Sequence, residues 1–125
     1  MKLQPDTFDV QSISGYGPGW VAVNGERVEH SLVIGSRGER FDWNCQHFAD
    51  LTPAHFALLA QSAPELVVFG SGHTLRFVPP AWLGPLMQQR IGLETMDTSA
   101  ACRTYNILAG EGRKVLLALL LEPAV

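Results

Sequence analysis

A chain of 125 residues, 46% hydrophobic and 17% charged, carries enough apolar side chain to build one core without disulfides or a structural metal, which predicts a single domain over 1–125 and excludes a disordered chain. Its 12 acidic against 9 basic residues, a formal charge of −3, offer no cationic row for phosphates and argue against a nucleic-acid partner. The longest apolar run, Val115 to Leu121, falls far short of the ~20 residues a hydrocarbon core requires, so no membrane insertion is expected, and the start Met1-Lys2-Leu3-Gln4-Pro5-Asp6 lacks the apolar stretch of a signal peptide, which predicts a cytoplasmic protein.

The first third reads as β structure. Phe8, Val10 and Ile13 precede Gly15-Tyr16-Gly17-Pro18-Gly19, a glycine and proline cluster that predicts a turn or loop. Trp20 to Val23 and the run Val28 to Ile34 flank Asn24-Gly25, a strong hairpin signal because both turn residues tolerate positive φ. Gly35-Ser36-Arg37-Gly38 supplies a second turn, and Phe41 with Trp43 has the alternation of a short strand, so the N-terminal part is expected to be a β-meander.

Thr52-Pro53 then sets an N-cap residue before a proline at the first helical position, and Phe56, Leu58 and Leu59 give that helix an apolar side up to about Ser62. Leu66 to Phe69 is wholly apolar, as suits a strand covered on both faces, and the same type recurs at Val115 to Leu121. Between them the pattern predicts a helix from Ala81 to Arg90, a strand from Leu93 to Met96 and a helix from Thr98 to about Ala109. This succession predicts an α/β fold, a three-layer domain with a central mixed sheet, flanking helices, right-handed crossovers and the added N-terminal β-meander.

Ligands of open α/β sheets bind outside the carboxyl ends of the strands, which singles out Gly70, Ser71, Gly72 and His73 after one strand and Asp97, Thr98 and Ser99 after another. The ordinary reading is that the glycines serve a tight turn and Asp97 caps a helix. A dinucleotide site is the sharper reading, yet Leu75 stands where the third glycine belongs, and Pro79-Pro80 separates the loop from the next helix. Ser71 and Ser99 lack a nucleophile elbow, so no catalytic residue is assigned. On a 3.6-residue period Cys102 shares a core-facing side with Ala101, Tyr105, Leu108 and Ala109, while Arg103 and Asn106 lie opposite, suited to a ligand, a partner or a surface ion pair. Cys45 and Cys102 are read as thiols; Cys45 with His47 gives two of the three or four ligands that zinc requires, so no metal and no cofactor are predicted.

The motifs Phe69-Gly70-Ser71-Gly72, Glu94-Thr95-Met96-Asp97-Thr98, Ala101-Cys102-Arg103-Thr104-Tyr105-Asn106-Ile107-Leu108 and Glu111-Gly112-Arg113 together resemble a family of small prokaryotic domains whose mitochondrial relatives are NADH:ubiquinone oxidoreductase complex assembly factor 3. That resemblance implies a mixed sheet flanked by helices with an added β layer, and protein partners in respiratory complex assembly rather than an assigned reaction. The chain differs from the mitochondrial members in showing no targeting extension, which implies a bacterial type of protein. Two classes of function follow. One is a non-enzymatic binding or assembly-type module that meets a protein partner through an apolar anchor of Trp20, Trp43, Trp82 and Phe77. The other is a small-molecule or anion binder using the Gly70 to His73 loop, the helix start at Thr98 and Ser99, and Arg103.

Overall fold

A computed structural model describes residues 10–123; Phe8 of the predicted first strand and the residues 1–6 of the predicted cytoplasmic start lie outside them. The two wholly apolar runs, Leu66–Gly70 (β6) and Val115–Leu119 (β8), lie side by side as parallel strands. Around them the sheet runs β5-β4-β8-β6-β7, with β4 (Leu32–Gly35) antiparallel to β8, β5 (Arg40–Asp42) antiparallel to β4, and β7 (Gly92–Met96) parallel to β6. Alternate residues of β8 serve opposite faces, as the two-residue strand period requires. Val115, Leu117 and Leu119 enter one apolar cluster, Leu116 and Ala118 the other. Helix α1 (Pro53–Leu59) and helix α2 (Gly84–Gln88) cover the second face, and helix α3 (Thr98–Gly110) covers the first together with a separate three-stranded sheet.

That separate sheet is β1 (Ile13–Gly17), β2 (Trp20–Val23) and β3 (Glu26–Val28), antiparallel throughout and joined at Asn24-Gly25 by the expected hairpin, with φ of 49° and 88°. Three expectations need correction. The cluster from Gly15 to Gly19 is not all loop: Gly15, Tyr16 and Gly17 are strand, and the turn is Pro18-Gly19 alone. Gly17 has no room for a side chain because the Trp20 indole crosses it: a Cβ there would sit 2.8 Å from its Cε2. The run from Val28 to Ile34 is not one strand; it breaks at Glu29-His30-Ser31, so the meander ends at β3 and β4–β5 join the main sheet. Finally, the predicted helix from Ala81 to Arg90 is a 3-10 turn, Pro80–Leu83, followed by the short α2. Pro85 lacks the N–H that a continuous helix needs, and Arg90 sits at a φ of 58°. Among the described residues no helix is long and apolar enough to cross a membrane.

Candidate functional site

The carboxyl ends of β6, β7 and β8 converge, and their loops are stitched to one another. Ser71 N–H donates to the Met96 carbonyl at 2.8 Å, Thr98 N–H to the Gly72 carbonyl at 2.7 Å and Leu120 N–H to the Gly70 carbonyl at 3.0 Å. Gly72 N–H finds the Thr98 hydroxyl at 3.2 Å. Gly70, Ser71, Gly72, Asp97 and Thr98 are thereby brought together, and their polar groups serve the fold. Gly70 has no room for a side chain, since a Cβ would lie 2.7 Å from Leu119 Cδ2 and 3.3 Å from Thr98 Cα. Asp97 caps α3, its Oδ1 accepting the Ala100 N–H at 2.9 Å. His73 and Ser99 are exposed at the rim.

Ser71 is fully buried. Its hydroxyl donates to the Thr74 carbonyl at 2.8 Å and accepts the Arg76 N–H at 2.9 Å, so it closes the loop upon itself. The Arg76 guanidinium returns to the Ser71 carbonyl at 2.7 Å, pairs with Glu122 at 2.6 Å and lies 4.6 Å from the Phe48 ring centroid. Gly72, at a φ of +104°, leaves the space this pair occupies, because a Cβ there would meet Glu122 Oε1 at 2.8 Å. Burial pushes the Glu122 carboxyl up, but the hydrogen bonds from Arg76 and Phe48 N–H and the charges of Arg76 and His47 outweigh it and leave it below its ordinary range. Sequence reasoning missed this pair. Its signal was an arginine as the one Asp, Glu, Lys or Arg between Glu65 and Arg90, and an acid placed directly after the second apolar run.

With Arg76 drawn inward and Val78 buried, Leu75 and Phe77 point out, 52% and 69% exposed. The predicted aromatic anchor is thus redistributed. Trp43 is in the core, 2% exposed, edge-on to Phe56 and Phe69. Trp82 is half-buried against the same cluster, and Trp20 is half-buried on β2 beneath the Arg27 guanidinium. Only Phe77 of the four is prominent, and its apolar companion is Leu75.

Arg103 and Asn106 are both hydrogen-bonded to β1. Asn106 accepts the Ile13 N–H at 2.9 Å and donates to the Ile13 carbonyl at 2.8 Å, clamping β1 to α3. Arg103 donates to the Tyr16 hydroxyl at 2.9 Å, which holds the guanidinium still more firmly protonated. Both side chains on this side of the helix are thus engaged with the chain's own first strand. Cys102 and Cys45 are buried free thiols, pushed up by burial to about 12 and about 11, opposite to the shift of a reactive thiolate. His47 lies against Asp50, at 3.7 Å. Elsewhere, a cleft of about 350 Å³ opens between β3 and β5, lined by charged residues together with Val28, Leu32 and Phe41.

A family model described as protein of unknown function (DUF498/DUF598) matches residues 13–120. The Bos taurus protein named NADH dehydrogenase (ubiquinone) 1 alpha subcomplex assembly factor 3 is 33% identical over 123 residues, 97% of this chain; the chain spans 66% of that protein's length. An uncharacterised protein of Rhodobacter capsulatus is 33% identical over 120 residues, which are 96% of this chain and 92% of that one. The solution NMR structure of a Bordetella pertussis protein described as a Mth938-like domain aligns with a TM-score of 0.82 and 32% identity, covering 99% of this chain and 94% of that chain.

Proposed function

This chain belongs to the DUF498/DUF598 family, and from that membership we propose that it is a non-enzymatic, assembly-type binding module whose apolar anchor is Leu75 with Phe77. The observation that carries the reading is the construction of the anchor. Two large apolar side chains, 52% and 69% exposed, stand on a segment fixed on both sides by the Ser71 hydroxyl, the Arg76–Glu122 pair and buried Val78. A segment ordered before binding loses little entropy on binding, and aromatic side chains such as that of Phe77 are enriched at protein interfaces. The relatives named as NADH dehydrogenase assembly factors point to subunits or assembly proteins of that complex as the class of partner.

Affinity purification of the tagged chain from its native cells, with mass spectrometry of proteins and of small molecules released on denaturation, tests this. Subunits or assembly proteins of the NADH dehydrogenase complex are expected with the wild type, and at least about tenfold less with Leu75→Ser/Phe77→Ser, since losing two anchors costs about 2 kcal/mol or more. The melting temperature should hold, because surface changes rarely exceed about 0.5 kcal/mol. A stoichiometric small molecule with no protein partner would overturn the reading.

A further inference from the structure

The cleft between β3 and β5 lies between two sheet edges that no further strand pairs among the described residues. β3 is the outer strand of the three-stranded sheet and β5 the outer strand of the five-stranded one. In an antiparallel ladder every second residue turns its N–H and C=O away from its partner strand. On β5 the bonds Gly35 N–H to the Glu39 carbonyl and Trp43 N–H to the Ser31 carbonyl fix that alternation, so Arg40 and Asp42 turn their backbone groups outward. On β3 the two-residue Asn24-Gly25 hairpin makes Val23 and Glu26 a bonded pair, which turns Arg27 outward. Arg27, Arg40 and Asp42 all line the cleft. Side chains bridge it, Arg40 to Glu26 at 2.8 Å, and His30 lies 3.5 Å from Asp42.

Short, charged edge strands commonly serve only to block aggregation. Here two such edges border one cleft, each with outward backbone groups, and the charges are unbalanced. The cleft walls carry three carboxylates, Glu26, Glu29 and Asp42, against two guanidiniums: Arg40 pairs with Glu26 at 2.8 Å and Arg27 with Glu29 at 2.7 Å, which leaves Asp42, its side chain 85% exposed, as the carboxylate of the cleft without an arginine partner among the described residues.

We infer that this cleft receives an extended, lysine- or arginine-bearing segment of a protein partner, which adds as a strand to the outward backbone groups of Arg27, Arg40 and Asp42 and sets a cation against Asp42. The inference rests on the protein-binding reading above and adds the kind of segment the partner presents. Main-chain bonds supply affinity in such strand addition, and the side chains supply selection.

The test titrates the purified full chain with a hexapeptide of alternating Lys and Val, followed by backbone amide NMR and hydrogen exchange. Saturable binding is expected, with exchange slowed at the amides of Arg27, Arg40 and Asp42. A Glu/Val peptide, and the variant Glu29→Lys/Asp42→Lys, should each bind about tenfold more weakly, because the cationic charge of the peptide, or the carboxylate excess of the cleft, is reversed. No saturable binding, shifts centred on Leu75 and Phe77 instead, or equal binding of a Lys/Val peptide interrupted by proline would overturn the inference; the last comparison uses the wild-type chain and so needs no variant to fold. In the native-cell purification, partner recovery lost with Leu75→Ser/Phe77→Ser but intact with Glu29→Lys/Asp42→Lys overturns this inference alone. Recovery of no protein partner by the wild type overturns the reading beneath it.

Discussion

The two sheets of this protein share one apolar cluster but enter it to different extents. In the five-stranded sheet, every residue of β8 and all but Leu66 of β6 are buried, and apolar side chains leave water on both faces. In the three-stranded sheet β2 alternates between half-buried and buried, so only one face joins the core. Its place against α3 is marked by polar contacts of stated direction, the Asn106 amide on Ile13 and the Tyr105 hydroxyl on the Gln11 carbonyl. Desolvation is strong but undirected, whereas hydrogen bonds contribute less and specify position. The large sheet thus carries the greater part of the stability, and the small sheet is positioned by a few side chains of one helix.

The largest expected effect tests the first half of that contrast. Phe69 is fully buried, with ring centroids of Phe56 at 5.2 Å and Trp43 at 5.8 Å, and Phe69→Ala should cost about 3–5 kcal/mol in urea denaturation. A cost below about 1 kcal/mol would mean that this face is not tightly packed. Asn106→Ala tests the second half: losing two hydrogen bonds and stranding the Ile13 groups should cost about 1–3 kcal/mol. It should also speed amide exchange at Ile13 relative to Val68, and unchanged exchange at Ile13 would break the contrast. The smallest effect asks whether the large sheet also uses a polar pin. Glu122→Gln should cost about 1 kcal/mol at neutral pH. Because the folded state holds this carboxyl below its ordinary range, its contribution is present above the unfolded value and is lost as pH falls through the folded one. Wild type and variant should therefore converge in acid denaturation, and a constant gap down to low pH would remove the charge from the account.

Much of the fold was legible in the residues themselves. Apolar runs at Leu66 and Val115, Asn24-Gly25, Thr52-Pro53 and Asp97 each carry a local physical preference: continuous burial, positive φ, a helix start, a cap. The sequence by itself therefore determined the two apolar central strands, the hairpin, the starts of α1 and α3 and the α/β class. Tertiary structure alone decided which sheet each early strand joins, since Val33 pairs with Ala118 85 residues away and no local pattern encodes that. It also decided what the candidate site residues touch. Gly70, Ser71 and Thr98 look ligand-facing as a list, but their bonds to Met96, Leu120 and one another turn them into joints between strand ends, and Arg103 and Asn106 find partners about 90 residues away on β1. The same contacts that draw Arg76 inward to Glu122 push Leu75 and Phe77 outward. Periodicity records which side of a strand or helix is apolar, whereas a pairing across tens of residues is settled only when the packed chain brings donor, acceptor and charge within reach.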